Sequence, residues 1–221
     1  MNLEKGPLDL PPQLLLAPTP ESTAMAYKVV VCGPKGSGKS TIANFLAGHS
    51  EKLAVDKYDP TAGVRILEVS FAPPHTRPTL RLTAVARMQF ETRIASSQKP
   101  VGVELWDASG DSSYDSCWKA IMSDADGVVL VYNPDAPSQD QQLTDWYEYF
   151  VKRNGLLDTQ CVIFAHRGSP SASTSDKFRP PQLFSKVTAA LTTSQSEADI
   201  RGMFEALVKD VHSFRKGASR K

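Results

Sequence analysis

Long apolar runs are missing from this chain of 221 residues. No stretch nears the roughly 18 apolar residues of a membrane-spanning helix, so no span is expected. Leu14-Leu15-Leu16 sits between prolines, too short for the core of a secretory signal and without a strong basic lead. Charge of one sign is missing too: 25 Lys and Arg face 24 Asp and Glu, a net +1 with no long single-sign run. A nucleic-acid partner is therefore not expected, because the charge footprint that neutralises a phosphate backbone is absent. Cysteine is scarce. Cys32, Cys117 and Cys161 lie far apart with no CxxC spacing, which argues against structural zinc and predicts three buried free thiols in a reducing compartment. Asn2 follows Met1 where myristoylation needs glycine, and Gly217–Lys221 holds no cysteine for prenylation, so no lipid anchor is expected.

What is present suits one domain with a full core: 41% of residues are apolar and 22% charged. Residues 1–25 carry five prolines among polar residues, a composition that buries too little to offset ordering entropy, and read as a flexible leader. The domain itself spans 26–215, with a short tail at 216–221. Lys28–Cys32 is a continuous β-branched run of the kind covered on both faces, and Arg65–Phe71, Val101–Asp107, Gly127–Tyr132 and Cys161–Ala165 share its character. Helical spacing appears in 40–47, in 138–153 through Leu143, Trp146, Tyr147 and Phe150, and in 197–214 through Ile200, Met203, Phe204, Leu207, Val211 and Phe214. The aromatic stripe of 138–153 reads as a core face, and Ser196 with Asp199 as a capping box for the last helix. Strands alternating with helices predict a doubly wound α/β domain with a largely parallel sheet. Two stretches break the rhythm: an insertion at 72–100, including the mixed run Thr79–Arg87, and a Ser/Pro/Thr-rich loop at 167–182 expected to be mobile.

Gly33-Pro34-Lys35-Gly36-Ser37-Gly38-Lys39-Ser40 matches GxxxxGK[ST] between an apolar strand and a helical pattern, the context that gives the motif its weight. Glycines here permit positive φ and close backbone approach, so N–H groups and the helix N-terminus can surround phosphate oxygens. Gly33, Lys35, Gly36, Ser37, Gly38, Lys39, Ser40 and Thr41 are the expected nucleotide contacts. Lys39 would reach the β and γ phosphates, and the Ser40 hydroxyl would ligate Mg²⁺. Asp107, at the end of a neighbouring strand, would hold the same ion through water. Gly110 just beyond it has no side chain to block its N–H from a γ-phosphate.

Taken together, the phosphate loop, Asp59-Pro60-Thr61 and Trp106-Asp107-Ala108-Ser109-Gly110 resemble the phosphate loop, switch I and switch II of Ras/Rab-type small GTPases. More narrowly, Gly63–Glu68, Glu104–Asp111, Ser116-Cys117-Trp118, Asp126–Val129 and Asp158–Cys161 resemble the Rab-like small GTPase subunit of the intraflagellar transport B complex, the Rab-like protein 5 family. The likeness covers most of 27–214 but not the leader or the insertion. It implies an α/β small GTPase-like P-loop domain with a mostly parallel six-stranded sheet and helices on both faces. It also implies GTP or GDP with Mg²⁺ as cofactors, and Thr61 closing over the metal and γ-phosphate. The implied partner is a coiled-coil heterodimer of that complex, in a cilium or flagellum and the cytoplasm around the basal body.

Two departures weaken the likeness to a turnover enzyme. Asp111 stands where Ras-like enzymes carry the glutamine that orients water; it has no amide donor and adds negative charge near the γ-phosphate, which predicts slow hydrolysis. His166-Arg167-Gly168-Ser169 replaces the NKxD segment that reads guanine. With no carboxylate there, discrimination against adenine should fall, and ATP becomes a second candidate ligand. His166 is expected to pack or hydrogen-bond beside the base pocket, and Arg167 to stack on the base. Trp118 and Tyr114 in switch II are candidate partner anchors, with packing beneath the switch as the alternative reading of Trp118. A binding module gated by nucleotide is favoured over a cycling GTPase switch, and both over a small-metabolite kinase using 167–182 as a lid.

Overall fold

A computed structural model of the protein describes residues 26–53, 59–71, 101–168 and 182–218. The leader, the insertion at 72–100 and all but the ends of the 167–182 loop lie outside the described residues. Six strands form one sheet: β1 (Ala26–Cys32), β2 (Val64–Phe71), β3 (Val101–Ala108), β4 (Gly127–Tyr132), β5 (Cys161–His166) and β6 (Thr188–Thr192). Their order is β2-β3-β1-β4-β5-β6, antiparallel only between β2 and β3. Four helices accompany them: α1 (Lys39–Leu46), α2 (Asp115–Met122), α3 (Gln139–Tyr147) and α4 (Glu197–Ala218).

The central strands are apolar on both faces because both faces are covered. Alternate residues of β1 divide accordingly: Val29 and Val31 join a core with Ile42 and Phe45 of α1 and Phe204 and Leu207 of α4. Val30 and Cys32 join a second core with Ile121 of α2, Leu143 and Trp146 of α3, and Phe150. Full burial of side chains such as Phe45, Phe150 and Phe204 contributes about 1.5–3 kcal/mol each.

Several expectations need correction. The helical pattern of 138–153 is not one α-helix: α3 ends at Tyr147, and Glu148–Lys152 forms a π-turn closed by Arg153 N–H donating to Glu148 O at 3.0 Å. Its stripe is core as expected, with Leu143, Trp146, Tyr147 and Phe150 all buried. The Ser196 hydroxyl turns back to accept Thr193 N–H at 3.0 Å, while the Ser196 carbonyl accepts from Ile200. Cys32 and Cys161 are buried and free, but Cys117 is exposed on α2, whose outer side it occupies.

Two elements escaped sequence reading. Asp115–Met122 buries only Ile121 and Met122, too few apolar positions to show a helical period. Thr188–Thr192 is a short edge strand of small, part-exposed residues, without the β-branched run that marked the others.

Candidate nucleotide-binding site

The site lies at the carboxyl ends of β1 and β3, where open α/β sheets bind ligands. Val31 and Asp107 are register partners, so the phosphate loop leaving β1 and switch II leaving β3 emerge side by side. Gly33, Gly36 and Gly38 adopt φ of 139°, 74° and 92°. Gly33 has no alternative: a Cβ there would stand 2.0 Å from Val131 O. Gly38 ends the loop as the left-handed N-cap of α1. Behind the loop, Gln139 bridges it to α3, donating from Nε2 to Lys35 O at 3.1 Å and accepting Asn133 N–H at 2.8 Å.

Lys39 is buried, with its ammonium donating to Pro34 O at 2.7 Å. Burial pulls its pKa from 10.5 down to about 8, against the upward pull of the Asp107 carboxylate. The three expected metal ligands converge. Ser40 Oγ lies 2.8 Å from Thr61 Oγ1, and Thr61 Oγ1 donates to Asp107 Oδ2 at 3.4 Å. Backbone holds the two switches together as well: Ser109 N–H donates to Gly63 O at 2.7 Å.

A groove of about 1170 Å³ opens over these groups, walled by the loop from Lys35 to Thr41, by Asp59, Pro60 and Thr61, by Gly110, and by His166 and Gly168 at its far end. Ser37 Oγ and Asp107 Oδ1 are buried without a hydrogen-bond partner among the described residues. Buried polar atoms are almost always paired, so a Ser37 hydroxyl free to donate and an Asp107 carboxylate oxygen free to meet a cation fit a ligand that brings acceptor oxygens and a metal ion. The residues present fit a Mg²⁺–polyphosphate, held by Ser40, Thr61 and Asp107 on the metal side and by Lys39 and the loop N–H groups on the phosphate side.

At the base end, His166 is buried, and burial lowers its pKa by disfavouring the imidazolium. Its Nδ1 meets Thr192 Oγ1 at 3.1 Å, and its ring edge lies under Gly38, where a Cβ would approach Cδ2 to 2.5 Å. His166 therefore ties β5 and β6 to the phosphate loop. Arg167 is held by Asp135, Nε to Oδ2 at 2.9 Å. Its N–H donates to Thr192 O at 2.8 Å.

Asp111 is tied to its neighbours in the phosphate loop and the following turn. Its Oδ2 accepts from Lys35 Nζ at 2.7 Å, and its Oδ1 accepts from Ser113 N and Oγ, capping the 3-10 turn Ser112–Tyr114. These donors hold its carboxyl well below the ordinary carboxylate range. Trp118 is half-buried against Trp146, Tyr149 and Phe150, with ring centroids 4.6, 5.4 and 5.3 Å away, so it packs beneath switch II as a rim of the second core.

Residues 28–167 match the model of the Ras family. The chain belongs to that family. Within it, the chain groups with the proteins called intraflagellar transport protein 22. The human homologue is 40% identical over 158 residues, 70% of this chain and 73% of that one. The protein of Trypanosoma brucei brucei is 32% identical over 206 residues, 86% of this chain and 88% of its own. A GTP-bound crystal structure of T. brucei IFT22/74/81 superposes with a TM-score of 0.61 at 27% identity, covering 87% of this chain and 98% of that chain. A GDP-bound structure of T. brucei IFT22 gives 0.57 at 28% identity, over 86% and 98%. The sheet order and the helix layers are thus those of a Ras-like GTPase. Membership in this family also leaves no place for the metabolite-kinase alternative.

Proposed function

We propose that this chain is a guanine-nucleotide-gated subunit of intraflagellar transport, docking on a coiled-coil heterodimer and supporting assembly of a cilium or flagellum. The observation that carries the reading is the convergence of Ser40, Thr61 and Asp107 beside two unpartnered buried oxygens. Its relatives add the biology: homologues are intraflagellar transport proteins, and the T. brucei neighbour was solved GTP-bound with IFT74/81. Mg²⁺, when bound, would supply positive charge to the β and γ phosphates. Thr61 then becomes the sensor, since its hydroxyl already meets the other two metal-side groups and can exchange them for metal and phosphate.

Binding rather than turnover is the main activity in this reading. Asp111 spends both oxygens on Lys35 and Ser113, and no amide stands in its place to orient water. GTP is the nucleotide the solved relatives point to, and ATP is a competitor because no carboxylate stands at His166–Gly168, where guanine is normally read.

Capture by the coiled-coil heterodimer tests the gate. Protein loaded with a non-hydrolysable GTP analogue should be retained at least about tenfold better than GDP-loaded protein, the size of a modest coupling free energy. Thr61→Ala should erase the difference, with the nucleotide content of both proteins measured alongside so that capture is compared per loaded molecule. Equal capture of both loaded forms would refute gating.

A further inference from the structure

One residue in the metal-side cluster has no part in the phosphate-loop or switch motifs. Arg65 stands on β2 directly opposite Asp107 on β3, and that antiparallel register puts both side chains on one face. Its Nε and Nη2 both donate to Asp107 Oδ2, at 3.0 and 2.7 Å, and Nη2 also donates to Asn44 Oδ1 on α1 at 3.2 Å. The Asp107 side chain is fully buried, while that of Arg65 is 40% exposed. Oδ1, the other oxygen, is the buried atom without a partner among the described residues. Thr61 Oγ1 donates to the same oxygen that Arg65 holds, and Ser40 Oγ in turn meets Thr61 Oγ1.

This arrangement has a charge consequence. A buried carboxylate needs a compensating cation, and here a covalently attached one is already in contact with it. A divalent ion at Ser40 and Asp107 would share the Asp107 carboxylate with a guanidinium, the ion on the unpartnered Oδ1 and Arg65 on Oδ2, and the nearby positive charge weakens the ion's hold. A bound polyphosphate, by contrast, would gain a fixed positive charge on the metal side of the groove. The half-exposed arginine also has a path outward if the ion displaces it.

Resting on the nucleotide reading above, we propose that Arg65 is a built-in counter-cation of the metal site, sharing Asp107 with the divalent ion and making nucleotide retention less dependent on Mg²⁺. Arg65 acts here as a positioning residue, through Asp107.

Thermal unfolding of nucleotide-stripped protein, with and without Mg²⁺, tests the charge role without any nucleotide. Arg65→Ala should lower the midpoint by about 10 °C, as expected for stranding a buried charge in a domain of this size. Mg²⁺ should raise the midpoint of Arg65→Ala more than that of the natural protein, and Arg65→Lys should recover most of the loss. In an Asp107→Asn background the same Arg65→Ala change should cost much less. An equal loss in both backgrounds, or an equal Mg²⁺ shift with and without Arg65, would overturn the proposal. If Arg65→Ala does not fold, Arg65→Gln compared with Arg65→Lys gives the same contrast.

Release of a fluorescent GDP analogue, with and without chelator, tests the second half. Chelation should speed release less than about tenfold in the natural protein and at least tenfold more in Arg65→Gln, the range of coupling seen for close charge pairs. Equal acceleration in both would contradict it. Should neither protein bind the analogue, the nucleotide reading fails, and the unfolding contrast still decides whether Arg65 is the counter-cation of Asp107.

Discussion

Alanine at Gly110 should leave the domain folded and sharply cut its preference for a triphosphate over a diphosphate. A Cβ there would stand 2.5 Å from Gly33 O, 2.6 Å from Lys35 N and 2.6 Å from Lys39 Nζ. Two of those atoms are backbone of the phosphate loop, whose path is fixed by its positive-φ glycines and by Gln139. The loop cannot yield, so switch II must move away. In the proposed reading the Gly110 N–H donates to the γ-phosphate, and a hydrogen bond to a charged group is worth about 1.5–3 kcal/mol. Loss of that bond corresponds to roughly a ten- to hundredfold fall in preference for triphosphate. Titrating GTP-analogue and GDP binding calorimetrically in both proteins, with midpoints of unfolding as the control for fold, checks this. A preserved preference would mean that switch II does not read the third phosphate through Gly110.

Raising the pH should weaken polyphosphate binding and strengthen the empty fold, both through Lys39. Its folded-state pKa of about 8 lies below the ordinary 10.5, because burial disfavours the ammonium. Between those values the unfolded chain binds more protons than the folded one, so stability rises with pH across that window. The group's burial penalty is fully present below pH 8 and is relieved as pH rises toward 10.5, by about 3 kcal/mol at most. Phosphate needs the charged amine. Above pH 8 each added unit should therefore cost up to about tenfold in affinity, with proton uptake on binding. Unfolding midpoints and nucleotide titrations over pH 7 to about 10, compared with Lys39→Met, isolate the contribution of Lys39. The methionine variant should lose binding at every pH, along with the Lys39 share of the rise in stability.

The site was more legible than the scaffold around it. GPKGSGKS carried its own context, an apolar strand before it and a helix after it, so Lys39 and Ser40 could be assigned before any fold was known. Asp107 followed from its place at the end of a neighbouring strand and Thr61 from its resemblance to switch I, and Thr61 meets both Ser40 and Asp107. Arg65 was visible only as a charge inside an apolar strand. Its meaning depends on the antiparallel register that sets it opposite Asp107, and register is a tertiary property. His166 read as a packing residue near the base, but its seat under Gly38 required β5, β6 and the loop to be placed together. Asp111 illustrates the same limit. The missing amide was plain in the sequence, while the competing bonds to Lys35 and Ser113 come from the loop and the 3-10 turn folding toward each other. Cys117 misled because apolar neighbours in sequence do not bury a residue when only one stripe of its short helix faces the sheet.

The most direct test of the central claim is to identify what the purified protein holds and how fast it turns over. Denaturation and chromatography of the released ligand should find guanine nucleotide, and incubation of the protein with GTP or ATP and Mg²⁺ should show hydrolysis of neither over hours. Release of no nucleotide, together with no binding of added GTP, would contradict the account and reduce the phosphate loop to a fold element.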